Sequence, residues 1–249
     1  MKNKLKKSAL AVGSVIFWIA VWHIGASVAN SRLLIKIPLP ADTLALFLQN
    51  CGKEEFRFAV FVTVARIITG FLCAVIFGIL GGLLAGHSTL FKGFSSPVLH
   101  LVRTVPVAAF IIVAWLWIPS RALPPFISFL MVMPIIWSHT QAGLSSIDKK
   151  TVEAARVFGL KKSDIIFKVK LPMISPQLRA GCITGLGIAW KAGVAAEVIS
   201  TPSGSVGSML RTAKTAINYE QVFAVTLAVI LISLILENLL KLIWREQKR

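Results

Sequence analysis

The chain has 249 residues, of which 56% are hydrophobic and only 15% are charged. Such a chain cannot cover itself with polar surface as a soluble globule does, so its composition indicates a protein of the lipid bilayer. The formal net charge of +17 does not indicate nucleic-acid binding, because the basic residues lie in short segments between apolar runs instead of on one surface.

Six apolar segments of the chain are long enough to cross about 30 Å of bilayer hydrocarbon. In lipid a spanning segment must satisfy its own backbone hydrogen bonds, so these segments predict helices. We therefore expect an all-α, polytopic membrane protein with six transmembrane helices, at residues 8–29, 58–86, 98–118, 123–144, 177–200 and 221–243.

The first span follows a basic tail with lysines at positions 2, 4, 6 and 7. A basic tail before an apolar run is also typical of a cleaved signal peptide, whose apolar core has roughly 7 to 15 residues. Because the apolar run 8–29 has 22 residues, we interpret it as an uncleaved span.

The second span contains a double G-x-x-x-G row formed by Gly78, Gly82 and Gly86, where another helix could approach closely. Glycine is also common in membrane helices that have no such contact, and the sequence leaves this alternative open. Arg66 lies just outside the charge-free part of the span, 67–86. This places Arg66 near the outer interface, to which its long side chain could extend.

Spans three and four are rich in proline, which removes a backbone donor and favours a kink. We expect bent helices around Pro97, Pro106, Pro124, Pro125 and Pro134. Arg103 lies at the inner edge of span three, where it could extend to the interface or line a translocation path. His139 of span four could be a packed histidine or a residue of the same path.

The fourth connection, residues 145–172, predicts two short helices on the cytoplasmic side. Ser146 or Asp148 can cap the first helix, Gly159 can end it in the left-handed conformation, and Ser163 can cap a second helix that stops before Pro172. Three further positions, spaced i, i+3 and i+6, predict an outward apolar stripe that suits a groove in a partner: Val152, Ala155 and Phe158.

The fifth span carries two charges, Lys191 and Glu197, although a charge in hydrocarbon costs roughly 2.5 to 3.5 kcal/mol on insertion scales. The two residues are about 120° apart around a helix, so they do not form an i, i+4 pair. Lys191 could contact an anionic substrate or pair with another span, and Glu197 could be structural or form a gate. Gly181 and Gly185 form a second G-x-x-x-G pair.

Residues 201–220 follow the fifth span and combine glycine with an apolar stripe. Gly204 and Gly207 favour a loop, and Met209, Leu210 and Ala213 favour a short re-entrant helix that could close the outer mouth.

The basic residues also predict the orientation of the chain in the membrane. With the N-terminus inside, seventeen lysines and arginines fall in the inside segments and seven in the outside segments. By the positive-inside rule, both termini and the fourth connection lie in the cytoplasm.

The fourth connection carries a pattern of fixed spacing. Glu153-Ala154-Ala155 is followed after three residues by Gly159, after nine more by Val169, and one residue later by Leu171-Pro172. This pattern resembles the EAA signature, E-A-A-x3-G-x9-I-x-L-P, of permease subunits of bacterial ATP-binding-cassette (ABC) importers, with valine in place of isoleucine. Five further segments are similar to the nitrate, sulfonate and taurine group of that superfamily: ARIITGF (65–71), RTVPVAAF (103–110), AWKAGVAAEVI (189–199), SGSVGSML (203–210) and VFA (222–224).

The resemblance implies a domain organisation and a set of partners. Residues 1–56 would hold the cytoplasmic tail, first span and outer connection, residues 57–243 the importer transmembrane domain with its EAA loop at 145–172, and residues 244–249 a basic cytoplasmic tail. The partners would be two ABC ATPase subunits, a second permease copy in a homodimer, and an extracytoplasmic solute-binding protein, at the inner membrane of a bacterium. The EAA residues would seat the helix pair in the ATPase.

The sequence contains no G-x-x-x-x-G-K-[ST] nucleotide loop, so ATP would act on another subunit. Since there is no catalytic constellation or metal-ligand spacing either, we expect no enzyme activity, no cofactor and no metal. The alternatives are a secondary transporter or channel driven by an ion gradient, which needs intramembrane carboxylates and an inverted repeat, and a membrane-embedded enzyme. The transported solute is not specified by the sequence.

Overall fold

A computed structural model describes residues 2–32 and 36–246. The last residues of the predicted basic tail, 247–249, lie outside the described residues. The first six helices are α1 (Lys2–Arg32), α2 (Pro40–Gly52), α3 (Glu54–His87), α4 (Thr89–Thr104), α5 (Val107–Trp115) and α6 (Leu123–Ser145). They are followed by α7 (Lys149–Val157), α8 (Lys162–Asp164), a π-helical segment (Ile165–Lys170), α9 (Leu171–Ser200), α10 (Val206–Thr215) and α11 (Tyr219–Glu246).

Within the described ranges, five helices are long and apolar enough to cross a membrane: Val12–Ser31, Glu54–His87, Leu123–Ser145, Lys162–Ser200 and Tyr219–Trp244. They correspond to predicted spans one, two, four, five and six, and a sixth crossing is added if α4 and α5 together form one broken span. This architecture confirms the predicted all-α, polytopic fold.

The predicted third span, 98–118, is not one helix. Its residues belong to α4 and α5, which meet at an angle of 104°. Pro106 lies at the break with extended backbone angles, φ −58° and ψ 128°. Because proline has no amide hydrogen and disfavours helical angles at the residue before it, it ends α4 instead of bending a continuous helix.

Two of the other prolines of these spans occupy a position where no bend is expected. Pro124 and Pro125 lie in the first turn of α6, where proline starts a helix without bending it. Pro97 and Pro134 lie inside α4 and α6.

The predicted second short helix of the fourth connection does not stop before Pro172. The chain is helical from Lys162 to Ser200, and Pro172 lies in the first turn of α9. Just before it, the amide of Leu171 donates to the carbonyl of Ile166, a π-type hydrogen bond. This change of register accommodates the missing amide hydrogen of Pro172.

Helix α6 lies between α3 and α9, and glycines set both contacts. Along α3, Gly78, Gly82 and Gly86 face successive residues of α6, namely Ile136, Thr140 and Leu144, in parallel register. A Cβ atom on any of the three would lie 2.5–2.8 Å from those side chains. On α9, Gly181 faces His139 and Gly185 faces Val132, in antiparallel register. Both G-x-x-x-G rows are therefore sites of close helix approach, which decides between the two alternatives that the sequence left open.

The centre of this three-helix packing is apolar. Ile67 of α3, Ile136 of α6 and Leu186 of α9 are buried together in one cluster. The Ser128 hydroxyl donates to the Ala189 carbonyl at 3.0 Å and joins α6 to α9. The Trp190 indole donates to the Val229 carbonyl at 3.0 Å and joins α9 to α11.

The tight contact between α3 and α6 predicts opposite effects of one substitution at two glycines. At Gly70 a Cβ would lie 2.1 Å from the backbone carbonyl oxygen of Pro125, whereas at Gly93 it would meet nothing within 4 Å. We expect Gly70→Ala to lower the free energy of unfolding in detergent micelles by about 1–3 kcal/mol, because helix backbones would have to separate. The measurement is denaturant unfolding followed by circular dichroism.

Gly93→Ala is the matched control. It should leave stability unchanged or raise it by about 0.5–1 kcal/mol, because alanine loses less backbone entropy in a helix. Equal effects of the two substitutions would contradict the close approach of α3 and α6.

Candidate coupling and translocation sites

Helix α7 is defined at both ends by local hydrogen bonds. The Lys150 amide donates to Asp148 Oδ1 at 3.0 Å, so Asp148 is the N-cap, one of the two predicted candidates. Gly159 has φ +73° and ends the helix in the left-handed conformation, as predicted. The Gly159 amide donates to Arg156 and the Leu160 amide to Ala155, which is a Schellman motif. The predicted cap Ser163 does not cap the next helix, whose N-cap is Lys161.

The exposed face of α7 differs from the predicted stripe. Ala155 is only 8% exposed, because it faces the rest of the chain. Positions i and i+6 are about 120° apart on a helix, so residues 152, 155 and 158 cover a wide arc whose centre points inward. The apolar side chains that remain uncovered are Val157 and Phe158, at 86% and 83% exposed, and Ala154 is exposed beside them.

Of the EAA pattern, Glu153 lines a cavity of about 310 Å³ between α7 and the ends of α3 and α6, together with three cations, Lys149, Arg156 and Lys170. Lys170 Nζ lies 3.1 Å from His87 Nε2. Farther along the pattern, Val169 and Leu171 are half-buried and Pro172 is exposed. Glu153 therefore lies at the junction where α7 meets two spans.

Lys191 lies on an exposed strip of α9 formed with Ala180 and Thr184. Its neighbours in sequence, Trp190 and Ala192, are buried. Within the described part of the chain, no hydrogen bond or ion pair reaches the Lys191 ammonium. The strip presents small and polar side chains on a helix whose opposite face is packed.

Glu197 is completely buried near the other end of α9. Its Oε2 accepts hydrogen bonds from the Thr63 hydroxyl at 2.9 Å and from the Gly207 amide at 3.1 Å. Its Oε1 lies 3.5 Å from Arg66 Nη1. Arg66 is thus an ion-pair partner of Glu197, and its side chain is directed toward this buried carboxylate.

This junction fixes the start of α10. Gly204 has φ +66°, and the Ser205 side chain then caps the helix in a capping box with Ser208. The amide of Val206 donates to the Thr63 hydroxyl at 3.0 Å. The short helix predicted after the fifth span is present, and its role at the outer mouth stays a prediction.

Arg103 and His139 lie on α4 and α6 and have different neighbours. Arg103 Nη2 donates to the Pro134 carbonyl at 2.6 Å and also to the Ser138 hydroxyl. His139 is half-buried, and its ring packs against Gly181 of α9. The four predicted path residues therefore do not form one cluster. Arg103 and His139 each contact another helix, Glu197 is buried between α3 and α10, and Lys191 is exposed on α9.

Thr63 and Arg66 are the residues that sequence reasoning missed. Each contacts a partner more than 130 positions away, which no local pattern reveals. A signal was nevertheless present, because both polar residues lie on one face of α3, at i and i+3, in an otherwise apolar stretch. An acidic residue inside another span is the partner that such a pair requires.

Two comparisons of sequence bear on the function. The chain matches the family described as "Binding-protein-dependent transport system inner membrane component" over residues 74–249. It is 27% identical to the taurine transport system permease protein TauC of Escherichia coli, over 97% of this chain and 89% of that one. It is 31% identical to the nitrate import permease protein NrtB of Synechococcus elongatus, over 82% of this chain and 76% of that one.

Solved structures share the fold. A bacterial ABC transporter that imports alginate matches with a TM-score of 0.67 and 16% identity, over 100% of this chain and 98% of that one. The MetNI methionine ABC transporter in an inward-facing conformation matches with a TM-score of 0.66 and 17% identity, over 77% and 95% of the two chains. With a helical membrane fold, an EAA pattern around α7 and a family match over residues 74–249, the chain belongs to the binding-protein-dependent transport system inner membrane components, the permeases of ABC importers.

Proposed function

We propose that this permease forms the path for a small anionic or zwitterionic solute, of the nitrate, sulfonate or taurine kind. In this proposal a soluble binding protein delivers the solute, and ATP hydrolysis on a separate subunit drives its import. The observation that carries the proposal is the EAA pattern, which begins within α7, together with the uncovered apolar end of that helix.

The uncovered end of α7 is the proposed contact with the ATPase. Val157 and Phe158 are exposed beside the small side chain of Ala154, and Phe167 is 68% exposed close by in sequence. Large apolar side chains are costly in water, and a contiguous exposed group of them is typical of a protein interface. Two ATPases would dock on two permease copies, and nucleotide binding would shift the balance between inward- and outward-facing states.

The Lys191 strip is the proposed lining of the translocation path. A lysine inside a span is costly unless it faces water, a partner or the substrate. Within the described residues Lys191 has no partner, and its strip of small and polar residues can line a channel between two permease copies. Its ammonium would attract an anionic group as the solute passes.

The orientation completes the proposal: α7 and both chain ends lie on the cytoplasmic face of a bacterial plasma membrane. The support comes from the excess of lysine and arginine in those segments. Glu197, Arg66 and α10 would then lie at the outer end, where the binding protein docks.

A labelling experiment tests this orientation. The three native cysteines, Cys51, Cys73 and Cys182, are free thiols and are first replaced by serine. In whole cells an impermeant maleimide should fail to label Lys161→Cys and should label Lys214→Cys, because the two positions would lie on opposite faces. Labelling of Lys161→Cys before cell lysis would reverse the orientation and refute the docking proposal.

The contact with the ATPase is tested by adding charge to the end of α7. We expect Phe158→Asp to reduce capture of the co-expressed ATPase by tagged permease by about tenfold or more, because a carboxylate would be buried in an apolar contact. Ala155 is a poor choice for this test, since a charge there would disrupt α7 itself.

The control is Thr212→Asp, which adds the same charge at an exposed position of α10. Because α10 lies on the proposed outer side, this substitution should leave capture of the ATPase unchanged. Full capture with Phe158→Asp would show that the ATPase binds elsewhere.

The function itself is tested by uptake into liposomes containing permease and ATPase, with the binding protein encoded beside them. Wild-type vesicles should accumulate radiolabelled nitrate or taurine only with ATP. Lys191→Ala should lower this uptake on the order of tenfold, because one charge-assisted contact to the solute is lost.

Lys191→Arg keeps the charge and should retain most of the uptake, and capture of the ATPase should be unchanged in both variants. Loss of assembly in Lys191→Ala would instead assign Lys191 to subunit packing.

A further inference from the structure

Helix α4 exposes two opposite stripes, one apolar and one polar. Its large apolar side chains, at positions spaced 4, 4 and 3 residues apart, point away from the protein: Leu90, Phe94, Val98 and Leu101, each at least 60% exposed. Its polar side chains repeat with the same spacing two positions later, at Lys92, Ser96, His100 and Arg103, and are exposed as well. Two residues correspond to about 200° on a helix, so the polar stripe lies opposite the apolar one. The polar stripe borders the packed face of the helix, where Leu99 and Val102 are buried.

A cavity of about 100 Å³ lies between this polar stripe and α6. Three basic side chains line it, Lys92, His100 and Arg103, and α6 contributes Ser138 and Gln141. No carboxylate is among the described residues that line the cavity. Basic side chains gathered without a counter-charge repel one another, and an anion bound between them removes this repulsion.

Arg103 is held in a fixed position at this cavity. Its Nη2 donates both to the Pro134 carbonyl and to the Ser138 hydroxyl. A guanidinium has five N–H donors, so three remain on Nε and Nη1. No other described residue accepts from them. An arginine whose orientation is already fixed by the protein, with donors left over, can bind an oxyanion at a low cost in side-chain entropy.

We propose that the cavity between α4 and α6 is a binding site for a small oxyanion, such as a sulfonate or nitrate group, within the permease itself. A cavity of about 100 Å³ has room for a group of the size of a sulfonate or nitrate. Arg103 and Lys92 supply the charge, and the Ser96 hydroxyl and the Gln141 amide supply further donors.

This site deepens the proposed function and rests on it for the physiological ligand. It is separate from the Lys191 strip, which belongs to α9. If the solute binds at this site, its anionic group is recognised twice. The binding protein recognises it first, and the permease recognises it again after the solute has been released.

Binding of methanesulfonate to the purified permease in maltoside detergent, without ATPase or binding protein, tests the site. Isothermal titration at constant ionic strength, with chloride as the balancing anion, should give a saturable heat for the wild type. Arg103→Gln and Lys92→Gln should each weaken binding by about tenfold or more, because each removes a charged donor. Arg211→Gln, the same change at an exposed arginine of α10, should bind as the wild type does.

A second variant and a lipid-displacement measurement distinguish the possible outcomes. Because Arg103 also contacts α6, Arg103→Gln is paired with Lys92→Gln, whose side chain makes no described contact with the protein. Equal binding by the wild type and both variants, or no saturable binding, overturns the site. Displacement of methanesulfonate by micromolar short-chain phosphatidylglycerol assigns the cavity to a lipid phosphate and overturns its role for the solute.

The test also separates this inference from the proposed function. ATP-dependent uptake in liposomes without methanesulfonate binding would refute only the site. Binding without uptake would leave the site in place and refute the proposed function.

Discussion

The close approach of α6 to both α3 and α9 is the constraint on which the other contacts of this permease depend. Helices in lipid gain little from the hydrophobic effect, so they associate where small residues let their backbones come into contact. Gly70 against Pro125, Gly82 against Thr140 and Gly185 against Val132 provide those places. The same spacing brings Ser128 to the Ala189 carbonyl and places Thr63 and Arg66 of α3 against Glu197 of α9.

The charges inside the spans are accommodated in three different ways. Glu197 is buried with an ion-pair partner and two hydrogen-bond donors, so its carboxylate holds α3, α9 and α10 together. Arg103 is partly satisfied by the Pro134 carbonyl and the Ser138 hydroxyl. Lys191 has no described partner. A charge that the fold does not neutralise is the one left to interact with what passes through, which is why Lys191 and the unused donors of Arg103 carry the functional proposals.

Much of the fold could be predicted from the sequence, because apolar length and local capping are local properties. The spans other than the third, the Asp148 cap, the left-handed Gly159 and the glycine contacts follow from hydropathy, helix chemistry and side-chain size. The errors arise where two local signals compete. Pro106 ends a helix but Pro172 does not, because a π-type turn before Pro172 absorbs the missing donor. The inward direction of Ala155 depends on the chain packed beneath α7, which spacing within α7 does not encode.

The site was less predictable than the fold, because its residues meet across long sequence separations. Arg66 with Glu197, and Arg103 with Ser138, are contacts that only the packing of α3, α4, α6 and α9 creates. The EAA pattern is the exception, since its spacing is confined to one connection and could be identified directly.

The continuous helix from Lys162 to Ser200 connects the proposed sites mechanically. It has 39 residues, a length of about 58 Å at 1.5 Å per residue, and it carries both Lys191 and Glu197. Near its far end Glu197 is tied to α3 and to the start of α10, whereas its first turns lie beside α7. A helix held at one end and displaced at the other moves by pivoting. Under the proposed docking, a shift of α7 would therefore produce the largest displacement near Lys162 and a small rotation at Lys191, with the Glu197 junction as the pivot.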